Sequence, residues 1–234
     1  STSMRSPTQF VFDLPVRPAL GREDFFVAES NAGAVDWIDR WPDWPVRVAV
    51  LVGPAGCGKS HLARVWRAAS GAKDLPVGGV ASAAVRDLLG DATTCVLDDA
   101  QQVAGTPAAE QALFHVFNVM AERGGFLLLT APSPPPRWGI ALPDLASRLA
   151  TAQVLSLGPP DDLLMGALFA KLFADRQIRP GKGVIDYLVS HGERSHAAAR
   201  DFVELVDRRT LGEGRSVRLP LVRKLLEEQE GAKD

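Results

Sequence analysis

The run VRVAVLV (46–52) ends in GPAGCGKS (Gly53–Ser60) and continues as SHLARVWRAA, and this junction restricts the fold more than any other stretch. An unbroken run of branched apolar residues marks a strand buried on both faces, the kind that parallel sheets are built from. The octapeptide matches G-x-x-x-x-G-K-[ST] at every fixed position and lies where that motif requires, between a strand and a helix. Its glycines let backbone N–H groups turn toward a phosphate, and the helix N-terminus adds its positive dipole end. On this reading Gly53, Pro54, Ala55, Gly56, Cys57, Gly58, Lys59, Ser60 and His61 surround the phosphates of ADP or ATP. Lys59 reaches the β- and γ-phosphates and the Ser60 hydroxyl ligates Mg²⁺.

CVLDDAQQ supplies the expected partner. An apolar strand that ends in Asp98-Asp99 puts carboxylates at the C-terminal edge of the sheet, beside the phosphate loop. Asp98 takes the Mg²⁺ side and Asp99 orients the attacking water.

Around these motifs, short apolar runs alternate with helical stretches, the signature of an α/β domain with a parallel sheet covered on both faces. RVAVLVG, TTCVLDD, GFLLLTA and AQVLSL read as strands, and 59–70, 82–89 and 107–123 as helices. After Leu157 the texture changes. GPPDD links to a unit with four helices, near 161–176, 181–190, 194–211 and 217–229, and no strand. The expected organisation is a tail (1–20), an α/β domain (21–157) and an all-helical domain (158–234). In VDWIDRWPDWPVR, Trp37, Ile38 and Trp41 recur at helical spacing and read as packing against the sheet or near the base.

Charge and cysteine content narrow the function classes. A net charge of −2 argues against broad nucleic-acid binding, which needs a cationic surface. Cys57 and Cys95 lack any metal-binding spacing and read as reduced cytoplasmic thiols, and the four histidines are scattered. No apolar run is long enough to span a bilayer, and no secretory leader is evident, so the expectation is a cytoplasmic protein without a membrane partner.

Four further segments resemble the bacterial replication initiator DnaA. DFFVAESNAGAV (24–35) looks like its adenine-surrounding segment, with Val27 and Asn31 at the matching places. ALFHVFN (112–118) resembles the helix after its Walker B strand, LPDLASRL (142–149) its arginine-finger segment, and GERSHAAARDFV (192–203) its sensor 2 helix. The resemblance implies an AAA+ P-loop domain, with a five-stranded parallel sheet flanked by helices, followed by a small helical lid. It also implies that Arg148 is an arginine finger acting on a neighbour's nucleotide and that Arg194 is sensor 2. The sensor 1 position falls on Pro132, which cannot orient a water with a side chain, so weak hydrolysis by the chain itself is expected.

The chain stops soon after its lid, so no helix-turn-helix for sequence-specific DNA reading is expected. In this it resembles the Hda family of DnaA regulators, and its tail, TQFVFDL, is similar to their clamp-binding peptide. The resemblance implies that Gln9, Phe10, Phe12 and Leu14 dock on the sliding clamp (the DNA polymerase III beta subunit) and that DnaA is the second partner. A homodimer or higher oligomer that hides the tail is compatible with this, and the choice between ADP and ATP stays open. A self-contained AAA+ ATPase of the helicase-loader or initiator type is the alternative.

Overall fold

The computed structural model describes residues 16–18, 24–76, 84–210 and 215–234, so Gln9, Phe10, Phe12 and Leu14 lie outside the described residues. The first described elements are two short strands, β1 (Val16–Pro18) and β2 (Asp24–Phe26), which pair with each other. β1 falls in the segment read as a tail. Pro18 stands at the strand's last position, and prolines are tolerated at strand ends and edges.

From Asn31 to Gly158 the chain forms one compact unit. Its elements are α1 (Ala32–Asp39), β3 (Val48–Val52), α2 (Lys59–Ser70), β4 (Lys73–Asp74), α3 (Val85–Leu89), β5 (Thr94–Leu97), α4 (Pro107–Arg123), β6 (Phe126–Ala131), α5 (Pro143–Ala150) and β7 (Gln153–Ser156). The five strands form one sheet in the order β4-β5-β6-β3-β7, and every pair is parallel. This is the expected α/β class with its five-stranded parallel sheet. The four strands read from their apolar runs are all present. β4 is two residues long, and with both side chains exposed it carries no apolar pattern.

β3 lies between β6 and β7, with Val52 level with Ala131 on one side and Ser156 on the other. Burial on both faces explains its continuous apolar run. Behind the sheet, Trp44 stacks on Trp66 of α2 at 5.5 Å and 15°, and both meet Trp41 or Phe126 edge-on. Trp44 also donates its indole N–H to the Trp37 carbonyl at 2.9 Å. The tryptophan run is therefore packing, as its spacing suggested, although Trp41 lies beyond the end of α1. Cys95 is a core residue of β5, and burial pushes its thiol up to about 12, with the Arg123 charge acting the other way.

The second unit holds Pro159–Asp234 together with Phe26–Ser30. Its helices are α6 (Asp162–Asp175), α7 (Val184–His191), α8 (His196–Arg209) and α9 (Leu219–Gly231). Two are capped as their sequences require: Asp161 accepts the Leu164 N–H at 2.7 Å and Ser195 the Ala198 N–H at 3.0 Å. The four expected helices are all present, and the expectation of no strand alone needs a correction. Arg179–Pro180 (β8) and Ser216–Val217 (β9) form a parallel pair, with Arg179 donating its N–H to the Arg215 carbonyl and Gly181 to that of Val217. Strands of two residues have no periodicity for a sequence to display.

Asp207 ties this unit together. Its carboxylate accepts from Arg176 at 2.7 Å and from Arg215, whose guanidinium also reaches the carbonyls of Thr210 and Arg176. Hydrogen bonds from Arg176 and then Arg215 hold the Asp207 carboxyl below its ordinary 3.8. A depressed folded pKa stabilises above the unfolded value and loses that contribution as pH falls through the folded one. Asp207→Asn should therefore melt below wild type at neutral pH. That gap should close as pH falls from 3.8 through the depressed value, as read by thermal unfolding across an acid series.

Candidate phosphate-binding site

The phosphate loop begins where β3 ends. Gly53 donates its N–H to the Ala131 carbonyl at 3.3 Å, and a Cβ there would collide with the Leu157 carbonyl oxygen and lie 2.7 Å from Cys57 Sγ. Only glycine fits so close an approach. Gly56 and Gly58 have φ of +78° and +97°, a region that side-chain-bearing residues avoid, and Gly58 then leads into α2. Pro54 and Ala55 are exposed on the crest, Cys57 and Gly58 are buried beneath it, and His61 is half-buried in the first turn of α2.

Lys59 is buried, and its ammonium donates to the carbonyls of Gly53 at 2.5 Å and Pro54 at 3.1 Å. The cation is thus stored inside the loop whose N–H groups would face a phosphate. Ser60 Oγ lies 3.2 and 3.0 Å from the two carboxylate oxygens of Asp98. A hydroxyl and a carboxylate side by side suit a hard divalent cation that takes few protein ligands and completes its shell with phosphate and water. No group of three or more His, Cys, Asp or Glu that could hold a metal ion exists among the described residues.

A residue absent from the sequence reading joins these groups. Thr130, fully buried on β6, donates its hydroxyl to Asp98 and accepts the Asp99 N–H at 2.9 Å. Asp99 has φ of +51°, a left-handed backbone that Asp tolerates better than most residues. Pro132 is exposed just beyond the end of β6, so the polar group that this strand sends to the carboxylates is Thr130. One threonine inside FLLLTA was the available signal: a hydroxyl in an apolar buried run needs a partner.

The structure brings Gly53, Lys59, Ser60, Asp98, Asp99 and Thr130 to one edge of the sheet. Asn31 belongs to the same unit, buried at the entry to α1, where its carbonyl accepts the Val35 N–H at 2.9 Å. Arg148 is exposed on α5, and its guanidinium donates to Asn118 Oδ1 on α4 at 3.2 Å. Val27 and Arg194 belong to the other unit. Val27 is half-buried, while Arg194 pairs with Asp162 at the start of α6 and donates to the Pro160 carbonyl at 3.2 Å.

No family model matches the chain. An uncharacterized protein of Haemophilus influenzae is 26% identical over an alignment of 182 residues that covers 74% of this chain and 79% of the relative. Domain III of the replication initiation protein DnaA from Thermotoga maritima superposes with a TM-score of 0.69 at 18% identity, covering 87% of this chain and 94% of that one. The fold is that of a DnaA-like AAA+ module. A DnaA structure with bound AMPPCP and single-stranded DNA gives a TM-score of 0.62 at 17% identity over 78% of this chain, and the match spans 62% of that initiator's length. The RuvB of Thermotoga maritima (R170A) gives 0.60 at 16% identity, over 78% of this chain and 61% of that one. Likeness at these identities establishes architecture, and the roles of individual residues rest on the geometry above.

Thr130→Val keeps the shape of the side chain and removes its hydroxyl. Because the lost bond is to a charged carboxylate, unfolding in urea should show a loss of about 1.5–3 kcal/mol. Thr130→Ser should recover most of it.

Proposed function

We propose that this chain is a nucleotide-binding AAA+ regulator that docks on the sliding clamp and stimulates hydrolysis of DnaA-bound ATP, restraining re-initiation of replication. Nucleotide binding is supported by the Gly53–Ser60 cradle and by the AMPPCP held by a structural neighbour. Bound ADP or ATP with Mg²⁺ would supply the charged phosphates that the loop's N–H groups and Lys59 neutralise. Ser60 and Asp98 would hold the metal, with Thr130 fixing the carboxylate. Clamp docking through Gln9, Phe10, Phe12 and Leu14 is read from the sequence alone.

The observation that carries the regulatory reading is the placement of Arg148. α5 buries Leu145 and Leu149 and turns Arg148 outward, where a guanidinium is available to another molecule. An arginine supplied in trans offsets charge that builds on the transferring phosphoryl group, worth roughly 10³–10⁵ in rate. The decisive assay combines the protein, clamp loaded on DNA, and DnaA carrying labelled ATP. Wild type should raise hydrolysis and Arg148→Ala should lose the rise by roughly 10³-fold or more, while still binding nucleotide. Equal stimulation by both would overturn the reading.

One observation favours the rival, a self-contained ATPase: Thr130 supplies a polar group at the end of β6 where Pro132 does not. That reading requires turnover by the chain alone, abolished by Lys59→Ala and Asp99→Ala.

A further inference from the structure

Glu110 is the one buried carboxylate among the described residues, 2% exposed on α4. Its Oε1 accepts the N–H groups of Ala141 at 2.8 Å and Leu142 at 2.9 Å, and its Oε2 accepts that of Gly105 at 3.1 Å. A carboxylate leaves water only where such charge-assisted bonds replace its hydration. What they hold is the start of α5. Leu142 is the residue that opens this helix. Its apolar side chain cannot cap, and its carbonyl accepts the Ala146 N–H at 3.0 Å. Glu110 therefore holds, from a neighbouring helix, the backbone of the two residues that lead into α5.

Roughly 12 Å further along α4, by the rise of a helix, Asn118 meets the guanidinium of Arg148. The same helix thus grips α5 at its mouth and at the tip of its outward arginine. We propose that α4 is the positioning element of the arginine finger, with Glu110 setting where α5 begins and Asn118 setting where the guanidinium ends. The proposal rests on the reading that Arg148 acts on DnaA-bound ATP. Neither residue touches the reacting atoms. Both act through Arg148, and a misplacement near 1 Å at a reacting group can cost ~10²-fold in rate.

The test uses the full chain in the clamp-dependent assay. In Glu110→Gln an amide N–H₂ must face a backbone N–H, donor against donor, and Asn118→Ala frees the guanidinium. Both should lower the maximal stimulated rate, by up to ~10²-fold for Glu110→Gln and by a smaller factor for Asn118→Ala. The protein concentration for half-maximal stimulation and the stoichiometry of nucleotide binding should stay at wild-type values. A merely structural role would lower that stoichiometry in step with the rate. Hydrogen exchange should also show lost protection at Gly105, or at Ala141 and Leu142, in Glu110→Gln while β3 and β6 keep theirs. Wild-type stimulation by either folded variant overturns the proposal, and Asn118→Ala decides alone if Glu110→Gln does not fold. Absence of stimulation by wild type, or equal stimulation by Arg148→Ala, is a different result: the finger reading falls, and the positioning role with it.

Discussion

Parallel pairing on both flanks of β3 is the constraint on which the rest of the α/β unit depends. It brings the C-terminal ends of β5, β6 and β3 to one edge of the sheet, and each end delivers a different chemical group. The register makes this specific. Leu97 pairs with Leu129, so one step further Asp98 and Thr130 come level, while Thr130 is also opposite Leu51 on β3. A slip of one residue would turn Thr130 to the other face of β6 and leave a hydroxyl among the aliphatic side chains there. The apolar alignment of three strands therefore also determines which polar atoms meet.

Five polar or charged residues are buried among the described ones: Asn31, Lys59, Thr94, Glu110 and Thr130. Hydrogen bonds of Lys59, Thr94, Glu110 and Thr130 join separate pieces of the unit. Thr94 ties β5 to the end of α2 through the Ser70 carbonyl, Lys59 closes the phosphate loop, Thr130 joins β5 to β6, and Glu110 joins α4 to the approach of α5. Loops placed by hydrophobic contact alone would be free to slide, because burial has no direction. Directional bonds at these joints pin the segments where geometry matters most.

The same distinction explains what was legible in the sequence. Burial on two faces writes a continuous apolar run, so β3, β5, β6 and β7 could be read, and a glycine-rich loop between a strand and a helix announces its phosphate-binding geometry. Two-residue strands write nothing: Lys73–Asp74 is exposed, and Arg179–Pro180 pairs with Ser216–Val217 through backbone hydrogen bonds. Glu110 is hidden for another reason. A glutamate in a helix ordinarily belongs to a solvated face, and only the fold shows three N–H groups converging on it. Arg194 could be placed at the start of a helix, but its pairing with Asp162 requires two segments 32 residues apart in sequence to meet.

Lys59 and Arg148 are held in different ways, as the two tasks proposed for them would require. Lys59, proposed to serve a ligand that enters its own loop, is buried and satisfied by the carbonyls of Gly53 and Pro54, which a phosphate would replace. A group offered to another molecule cannot be buried, yet a freely rotating arginine would pay side-chain entropy of about 0.5–1.5 kcal/mol on docking. Arg148 lies on the exposed side of a helix anchored through Leu145 and Leu149, with Asn118 restraining the guanidinium at the surface, an arrangement that would meet both demands of the role proposed for it. An arginine restrained at the surface keeps its charge accessible and has less disorder left to lose. That is the physical difference between a residue that merely sits outside and one that is presented.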